Sequence, residues 1–309
     1  MSAEGSTKVV IAALVGNAAI AVSKFAAAAH TGSSAMLSEA IHSLVDTGNQ
    51  ALILHGIKRS QKPADENHPF GYGMELYFWS FVVAILIFAV GAGISLYEGV
   101  EKIREPHAVS SPYVNYAVLG VAMIFEAAAW AVAFREFRLR KGHLGFFAAI
   151  HESKDPAVFT VLMEDTAAML GLIVAFAGIA LGQALDMPVL DGVASVVIGI
   201  ILALVAVILS VECKGLLIGE SARSSTVQGI RALVLSRDGI DAVNELLTMH
   251  LGPKDILVTL SLDFSPRLSS DNVEALISEM ESEIKASYPE ATRVFIEAQS
   301  LCGHAAANL

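Results

Sequence analysis

The chain has 309 residues, of which 54% are hydrophobic and only 17% are charged. Soluble globular proteins carry about 25% charged residues, and the mean hydropathy here is +0.60, so the composition indicates a membrane protein. The net charge of −11 argues against a nucleic-acid partner, because phosphate contacts need clustered Lys and Arg. The two cysteines, Cys213 and Cys302, indicate neither a disulfide scaffold nor a cysteine-based zinc site.

Six apolar segments in residues 1–212 predict a transmembrane domain of six helices, since crossing a bilayer takes about 20 predominantly apolar residues. The first segment is taken as a span and not as a signal peptide, because Asn17 and Lys24 interrupt it and further helices follow. The six predicted spans are residues 8–29, 33–56, 75–100, 113–134, 157–182 and 188–211.

Basic residues are concentrated in the loops on one side of these spans, which is the pattern of cytoplasmic loops. We therefore expect both termini and the C-terminal domain to be cytoplasmic, in a multi-pass protein of the bacterial inner membrane. The loops on the other side carry chiefly Lys102 and Arg104. The basic residues behind this orientation are Lys58, Arg59, Lys62, Arg135, Arg138, Arg140 and Lys141.

The second predicted span carries polar residues where lipid would favour apolar ones. His42 and Asp46 are spaced i, i+4 and point to the same helical face, which Ser38 and Gln50 extend. An imidazole and a carboxylate on one face can bind a divalent cation; the alternative is a hydrogen bond that packs the bundle. Glu39 is expected near the outer end of this helix and to be less essential.

The fifth predicted span contains two adjacent acids, Glu164 and Asp165. A charge at the bilayer centre costs about 3 kcal/mol on insertion scales, so the pair needs a reason. Adjacent residues point about 100° apart, and we expect Asp165 to be the metal ligand. Glu164 is either a peripheral ligand, a proton acceptor or a partner of another helix, unless the pair lies at the solvated mouth of the helix.

Single polar residues elsewhere in the spans, Asn17, Lys24 and Glu126, are expected to make interhelical hydrogen bonds. Asp65 and His68 lie in the loop between the second and third spans. We interpret them as part of a solvated loop, and the alternative is a secondary surface metal site.

The C-terminal residues 213–309 predict a small two-layer α/β domain of order αββαβ. Residues 224–237 show helical spacing, residues 241–251 and 255–264 predict a hairpin, and residues 292–299 predict a last strand. Asp271 and Glu274 predict a capping box at the start of the intervening helix. A domain below 100 residues is marginal alone, so we expect packing against a second copy, as a homodimer.

The chain resembles the cation diffusion facilitator family over nearly its whole length. The resemblance is carried by SSAMLSEAIHSLVDTGNQ in the second span, HPFGYGMELYFWS and GAGISLYEG around the third, and VLMEDTAAMLG in the fifth. Within the family, these strings look most like the subgroup that contains the animal zinc transporter nine.

This resemblance implies a homodimeric antiporter that exports a divalent metal ion, most readily Zn²⁺ but also Mn²⁺, Fe²⁺ or Co²⁺, against protons. It implies a transport site of two residues from the second helix and two from the fifth. His42, Asp46 and Asp165 match three of these positions, while the fourth falls on Val161, which cannot bind metal. Glu164, a water or another helix would have to complete the ligand set.

The resemblance also implies metal ligands in the C-terminal domain, but few are present. His250 is the one residue that matches such a ligand, and Glu297 stands where a histidine is often found. In the loop, Tyr72 occupies the position of a further histidine. We expect a domain that dimerises mainly by packing, with weak or no metal binding.

Two other functions are open at this point. A dimeric scaffold or metal sensor of the same fold would explain the missing ligand at position 161. An intramembrane metalloenzyme would need an activated water and typically HExxH, whereas residues 151–155 read HESKD. The sequence therefore predicts a transporter that is not an enzyme, without cofactors beyond the transported metal and protons, and with the lipid bilayer as its environment.

Overall fold

The computed structural model describes residues 3–141 and 145–307, with side chains from residue 17 onward except at residues 136, 139–141, 146–148, 158, 306 and 307. The chain forms two compact units. The first is Met1–Lys58 with Phe78–Lys214, and the second is Arg59–Tyr77 with Gly215–Leu309. The loop between the second and third long helices thus belongs with the C-terminal domain. The division predicted at residue 213 stays a prediction.

The described residues of the first unit form helices, six of them long. The helix α3 contains a π-helical segment at Ile87–Ala92, and the short α5 was not predicted. The helices are α1 (Ala3–Thr31), α2 (Ser34–Ser60), α3 (Glu75–Arg104), α4 (Pro112–Lys141), α5 (Phe146–His151), α6 (Pro156–Ala184) and α7 (Val189–Ile218).

Among the described residues, four helices are long and apolar enough to cross a membrane. They are Glu75–Arg104, Pro112–Arg135, Phe159–Ala184 and Val189–Ile218, and they confirm a helical membrane domain. The predicted spans 8–29 and 33–56 lie within α1 and α2, which have 29 and 27 residues and so the necessary length. That these two helices also cross the membrane stays a prediction.

The first turn of α2 is held by a buried aspartate at the start of α7. Asp191 Oδ2 accepts hydrogen bonds from the Ser34 backbone N–H at 2.7 Å and from Ser34 Oγ at 3.2 Å. Its Oδ1 accepts from Ser33 Oγ at 2.6 Å. The Lys102 ammonium on α3 lies 3.8 Å from Oδ2 and donates to the Gly32 carbonyl at 2.7 Å. One carboxylate therefore satisfies unpaired N-terminal groups of α2 and joins three helices.

Small residues let α3 and α7 approach closely. A Cβ added at Gly99 would lie 2.7 Å from the backbone nitrogen of Val196, which is closer than packing allows. Without a hydrophobic force between helices in lipid, such close backbone contact is a main source of helix association.

The second unit contains the predicted αββαβ domain, which is confirmed. A sheet of order β1-β2-β3 pairs β1 with β2 antiparallel and β2 with β3 parallel. Alternate residues of β2 point into a core shared with two helices, in agreement with the alternation of the sequence. The elements are α8 (Ser224–Leu235), β1 (Ile240–Gly252), β2 (Asp255–Phe264), α9 (Ser270–Ser287), β3 (Arg293–Ala298) and α10 (Leu301–Ala307).

Two details of this domain differ from the prediction. The N-cap of α9 is Ser269, whose side chain accepts from the Asn272 backbone N–H, so the capping box predicted at Asp271 and Glu274 is wrong. Asp271 lies instead in the first turn, where its charge still suits the helix dipole. A further helix, α10, follows β3; its seven residues are too few to produce a recognisable period.

Replacing Asp191 with alanine tests the clamp on α2. The variant leaves Ser33 and Lys102 without their carboxylate partner and the α2 N-terminus without its cap. We therefore expect the free energy of unfolding to fall by about 1–3 kcal/mol. Thermal unfolding in detergent, followed by size-exclusion fluorescence, should show a lower midpoint. The matched control is Glu101→Ala, an exposed acid on α3. Equal midpoints for the two variants would contradict the clamp.

Candidate functional site

The polar stripe predicted on α2 lies inside the first unit. His42 is 1% exposed, and Ser38 and Glu39 have no exposed surface. The stripe therefore points into the helix bundle and not toward lipid, as membrane helices require of their ionisable groups.

His42 and Asp46 lie side by side on α2 but do not satisfy each other. Their Nδ1 and Oδ1 atoms are 3.3 Å apart. Among the side chains that the structure describes, none is a hydrogen-bond partner of either ring nitrogen of His42 or of Asp46 Oδ1. Buried polar atoms without partners are rare and costly, and they mark positions that a ligand, ion or water completes. Imidazole nitrogen and carboxylate oxygen are both donors that Zn²⁺ accepts.

The acids of α6 approach α2 in different ways. Glu164 is 4% exposed, and its Oε1 accepts a hydrogen bond from Asn49 Nδ2 at 2.7 Å, which ties α6 to α2. Asp165 is partly exposed. Three acids lie close enough to Asp46 for their charges to act on it, Glu164 most strongly, then Glu126 on α4, and Asp165 least. Of the three roles predicted for Glu164, the structure therefore contains one, the contact with another helix, which Asn49 provides.

A hydrogen bond also fixes the orientation of this part of α6. Trp130 on α4 donates its Nε1–H to Thr166 Oγ1 at 3.1 Å. Thr166 in turn donates to the carbonyl of Leu162 one turn earlier, at 2.7 Å. The helix turn that carries both acids is therefore held by the neighbouring α4.

The structure brings the predicted transport residues to one region without closing them into a complete ligand set. Within residues 3–141 and 145–307, no three His, Cys, Asp or Glu side chains are grouped so that they could hold a metal ion. Val161, one turn before Asp165, supplies no donor atom. The set His42, Asp46, Glu164 and Asp165 stays a prediction as a binding site.

The helix α1 contributes polar contacts that the sequence indicated only in part. Asn17 Nδ2 donates to Gln50 Oε1 at 3.2 Å, which confirms an interhelical bond. Lys24 Nζ donates to Glu39 Oε2 at 3.1 Å and to Ser43 Oγ at 2.8 Å. These contacts confirm the interhelical hydrogen bonds predicted for Lys24, although its partner Glu39 was not predicted.

The loop residues Asp65 and His68 form a hydrogen-bonded turn. The Asp65 carboxylate accepts from the Tyr72 hydroxyl at 2.6 Å and from the His68 backbone N–H at 2.8 Å. The Tyr72 hydrogen bond, followed by that of the His68 backbone, holds the pKa of Asp65 below its usual value; the same contact raises the pKa of Tyr72. Both carboxylate oxygens are thus in use. A metal site at Asp65 and His68 stays a prediction.

His250 lies on β1, in the second unit. It is 3% exposed, and its Nδ1 lies 3.1 Å from the Gly252 carbonyl. This burial is consistent with a structural core histidine. Metal binding at His250 likewise stays a prediction.

Helices that bury a histidine and several carboxylates, joined to a separate α/β domain, define a class of membrane protein that handles ions. The chain belongs to the cation diffusion facilitator family of metal cation transporters. Residues 10–218 match the cation efflux transmembrane domain, and residues 222–299 match the cytoplasmic, dimerisation-type domain of cation efflux proteins. The family and its dimerisation domain, both predicted from the sequence, are confirmed.

Several relatives share most of the chain. The human mitochondrial proton-coupled zinc antiporter SLC30A9 is 32% identical over 301 residues, which are 95% of this chain and 52% of that protein. The metal tolerance protein C4 of Arabidopsis thaliana is 26% identical over 78% of this chain and 53% of its own. The magnetosome protein MamB of Magnetospira sp. is 23% identical over 82% and 83%. The chain spans about half the length of the first two relatives.

The hydrogen bond between Tyr72 and Asp65 can be tested by Tyr72→Phe. Because the hydroxyl stabilises the ionised carboxylate, its loss should raise the pKa of Asp65 toward that of an ordinary aspartate. A carboxylate with a depressed pKa stabilises its turn above the unfolded-state pKa and loses this contribution as the pH falls, so the variant's turn should loosen at a higher pH than wild type.

The measurement is a carbon-detected NMR titration of Asp65 in the full-length protein in detergent micelles. Tyr97→Phe, which removes a 66% exposed tyrosine hydroxyl outside the loop, is the control and should leave the titration unchanged. An Asp65 titration identical in Tyr72→Phe and wild type would contradict the assignment.

Proposed function

We propose that this protein is a secondary transporter that exports a divalent cation, most readily Zn²⁺, in exchange for protons. Membership of the family makes the chain a metal cation transporter. Exchange of Zn²⁺ for protons is supported by the similarity to the human proton-coupled zinc antiporter and by the donor atoms of the chain itself. The family is one of transporters, which supports a protein that is not an enzyme, and the small ions in this proposal are the transported metal and H⁺.

The observation that carries the proposal is the unpartnered pair on α2. His42 presents two free ring nitrogens and Asp46 a free carboxylate oxygen in a buried setting. One nitrogen with two or three carboxylate oxygens suits Zn²⁺ and also Mn²⁺, Fe²⁺ or Co²⁺. In this proposal Asp165, and Glu164 once released from Asn49, complete the set as α2 and α6 close on the ion.

Exchange follows from competition for the same donor atoms. A metal ion needs a neutral imidazole and ionised carboxylates, so protons and metal exclude each other from the site. Metal loads from the side with low proton activity, the helices shift, and protons displace it on the other side. No covalent chemistry is required of the chain.

The rest of the proposal concerns assembly and placement. The protein works as a homodimer through its C-terminal domain, in the bacterial inner membrane and with both termini in the cytoplasm. The dimerisation-type domain supports the first point, and the distribution of Lys and Arg in the loops supports the orientation.

Removing either carboxylate should abolish transport. Asp46→Ala and Asp165→Ala each leave the dication short of negative charge in a medium of low dielectric constant, and we expect initial uptake to fall at least about tenfold. The assay is uptake of Zn²⁺, Mn²⁺, Fe²⁺ and Co²⁺ into proteoliposomes with an imposed pH gradient.

The matched control removes an exposed acid from α9 of the C-terminal domain, Glu279→Ala, and folding is checked by size exclusion. Wild-type rates in both site variants would refute the site. A wild-type protein that moves none of the four ions would favour the alternative, a dimeric scaffold or metal sensor. The valine at position 161 and the incomplete ligand grouping are the observations that keep this alternative in view.

Introducing a ligand at the fourth position tests the geometry of the site separately. Val161 and Asp165 are one turn apart on α6, so Val161→His places an imidazole on the same face as the proposed carboxylate ligand. A second nitrogen donor favours Zn²⁺ over the more oxygen-preferring Mn²⁺. We expect the ratio of Zn²⁺ to Mn²⁺ uptake to rise severalfold, whereas Val161→Leu should leave it unchanged. An unchanged ratio in Val161→His would show that position 161 lies outside the site.

A further inference from the structure

A fully buried ion pair lies next to the proposed site without belonging to its ligands. Lys24 on α1 and Glu39 on α2 both have no exposed surface, and their charged atoms are 3.1 Å apart. Ser43 Oγ accepts a further hydrogen bond from the Lys24 ammonium at 2.8 Å. Ser43 directly follows His42, so the ammonium is fixed against the turn of α2 that carries the imidazole.

Stability alone does not explain this pair. Withdrawing two charges from solvent costs as much as their attraction returns, and apolar residues of similar volume hold helices together equally well. Moreover, Glu39 is incompletely satisfied, since its Oε1 has no hydrogen-bond partner in the structure. The carboxylate abuts α6 at Gly171, where an added Cβ would collide with Oε1. The pair thus lies where α1, α2 and α6 meet.

The two charges reach the proposed ligands. Glu39 precedes His42 by three residues, which is about 4.5 Å along the helix axis. The Lys24 charge acts on both His42 and Asp46. A dication bound at these residues would be attracted by Glu39 and repelled by Lys24, and in a buried setting neither effect is well screened.

We propose that Lys24 and Glu39 are positioning residues that set how tightly the transport site holds its dication. This inference rests on the proposed function. Glu39 draws the ion toward α2, and the tethered ammonium offsets that attraction so that the ion can leave again. Because the Lys24 ammonium is part of the chain, it stays beside the site both when the metal ion is bound and after the ion has left.

The test uses the opposite signs of the two charges. In Lys24→Met the ammonium that repels the dication is gone, and Glu39 can give up its proton when the dication binds, so KM for Zn²⁺ uptake and the Kd for Zn²⁺ should both fall by about tenfold, and kcat should fall as release slows. In Glu39→Gln an ammonium remains, and both constants should rise by about tenfold. The double variant Lys24→Met/Glu39→Gln and the conservative Lys24→Arg should return to within about twofold of wild type, as each keeps the net charge of the pair.

Full-length protein is assayed in two ways, by proteoliposome uptake and by calorimetric Zn²⁺ binding in detergent, and the binding measurement needs no transport. The matched control is Lys102→Met. It removes the cation of the buried pair Lys102–Asp191, which lies at the first turn of α2. Ser34 in that turn is twelve residues before Asp46, or about 18 Å along the helix axis. It should lower the unfolding midpoint but leave Kd unchanged.

Shifts of KM and Kd in the same direction in both single variants, or unshifted constants in both, would overturn the inference. A pair with a purely structural role would have the same effect whichever partner is removed. A shift in Lys102→Met as large as that in Lys24→Met would overturn it as well. Wild-type flux reports on the proposed function, whereas the direction of each variant relative to wild type reports on the ion pair. The two failures are therefore distinguishable.

Discussion

Polar groups inside the helical unit must be satisfied from within the protein, because the hydrocarbon of a bilayer offers no hydrogen bonds. This constraint orders the helices. Asp191 meets it by capping α2, Lys24 and Glu39 meet it by pairing, and Glu164 meets it through Asn49. Each solution joins two or three helices, so the polar atoms determine which helices lie side by side while small residues allow them to approach.

His42 and Asp46, the α2 residues of the proposed site, differ from these satisfied groups. Three of their polar atoms have no hydrogen-bond partner among the described residues, and the two residues are one helical turn apart. Single polar atoms elsewhere, such as Glu39 Oε1, also lack a partner. The grouping of three such atoms at His42 and Asp46 is what suits a bound ion. The family membership and the chemistry of the donors point to the same kind of ligand, a divalent cation.

Much of this architecture could be predicted from the sequence. The apolar runs gave the positions of the helices because length and hydropathy are local properties, and the alternation in residues 255–264 placed β2 for the same reason. The i, i+4 spacing placed His42 and Asp46 on one face for a geometric reason that holds in any α-helix.

What could not be predicted depends on which helices become neighbours. The partner of Lys24 is 15 residues away and that of Glu164 is 115 residues away, and neither separation carries a local signal. The prediction of the α9 cap was wrong for a local reason. Ser269 and Asp271 are both good capping residues, and the backbone conformation decides between them. Tyr72 stands where the resemblance implies a metal-binding histidine. In the structure its hydroxyl donates a hydrogen bond to Asp65, a contact within the loop that depends on the backbone conformation.

The π-helical segment of α3 at Ile87–Ala92 has a consequence for how this helix can vary. A π-turn accommodates about one residue more than an α-turn, so it acts as a register shift between the two halves of the helix. The half that follows it presents Gly99 to α7. Deleting one residue within the segment would restore a regular α-helix and leave the following half, with Gly99, facing α7. A deletion in an α-helical part of α3 would instead rotate the following half by about 100°. The π-helical segment is therefore the place where α3 can lose a residue without changing its interface with α7.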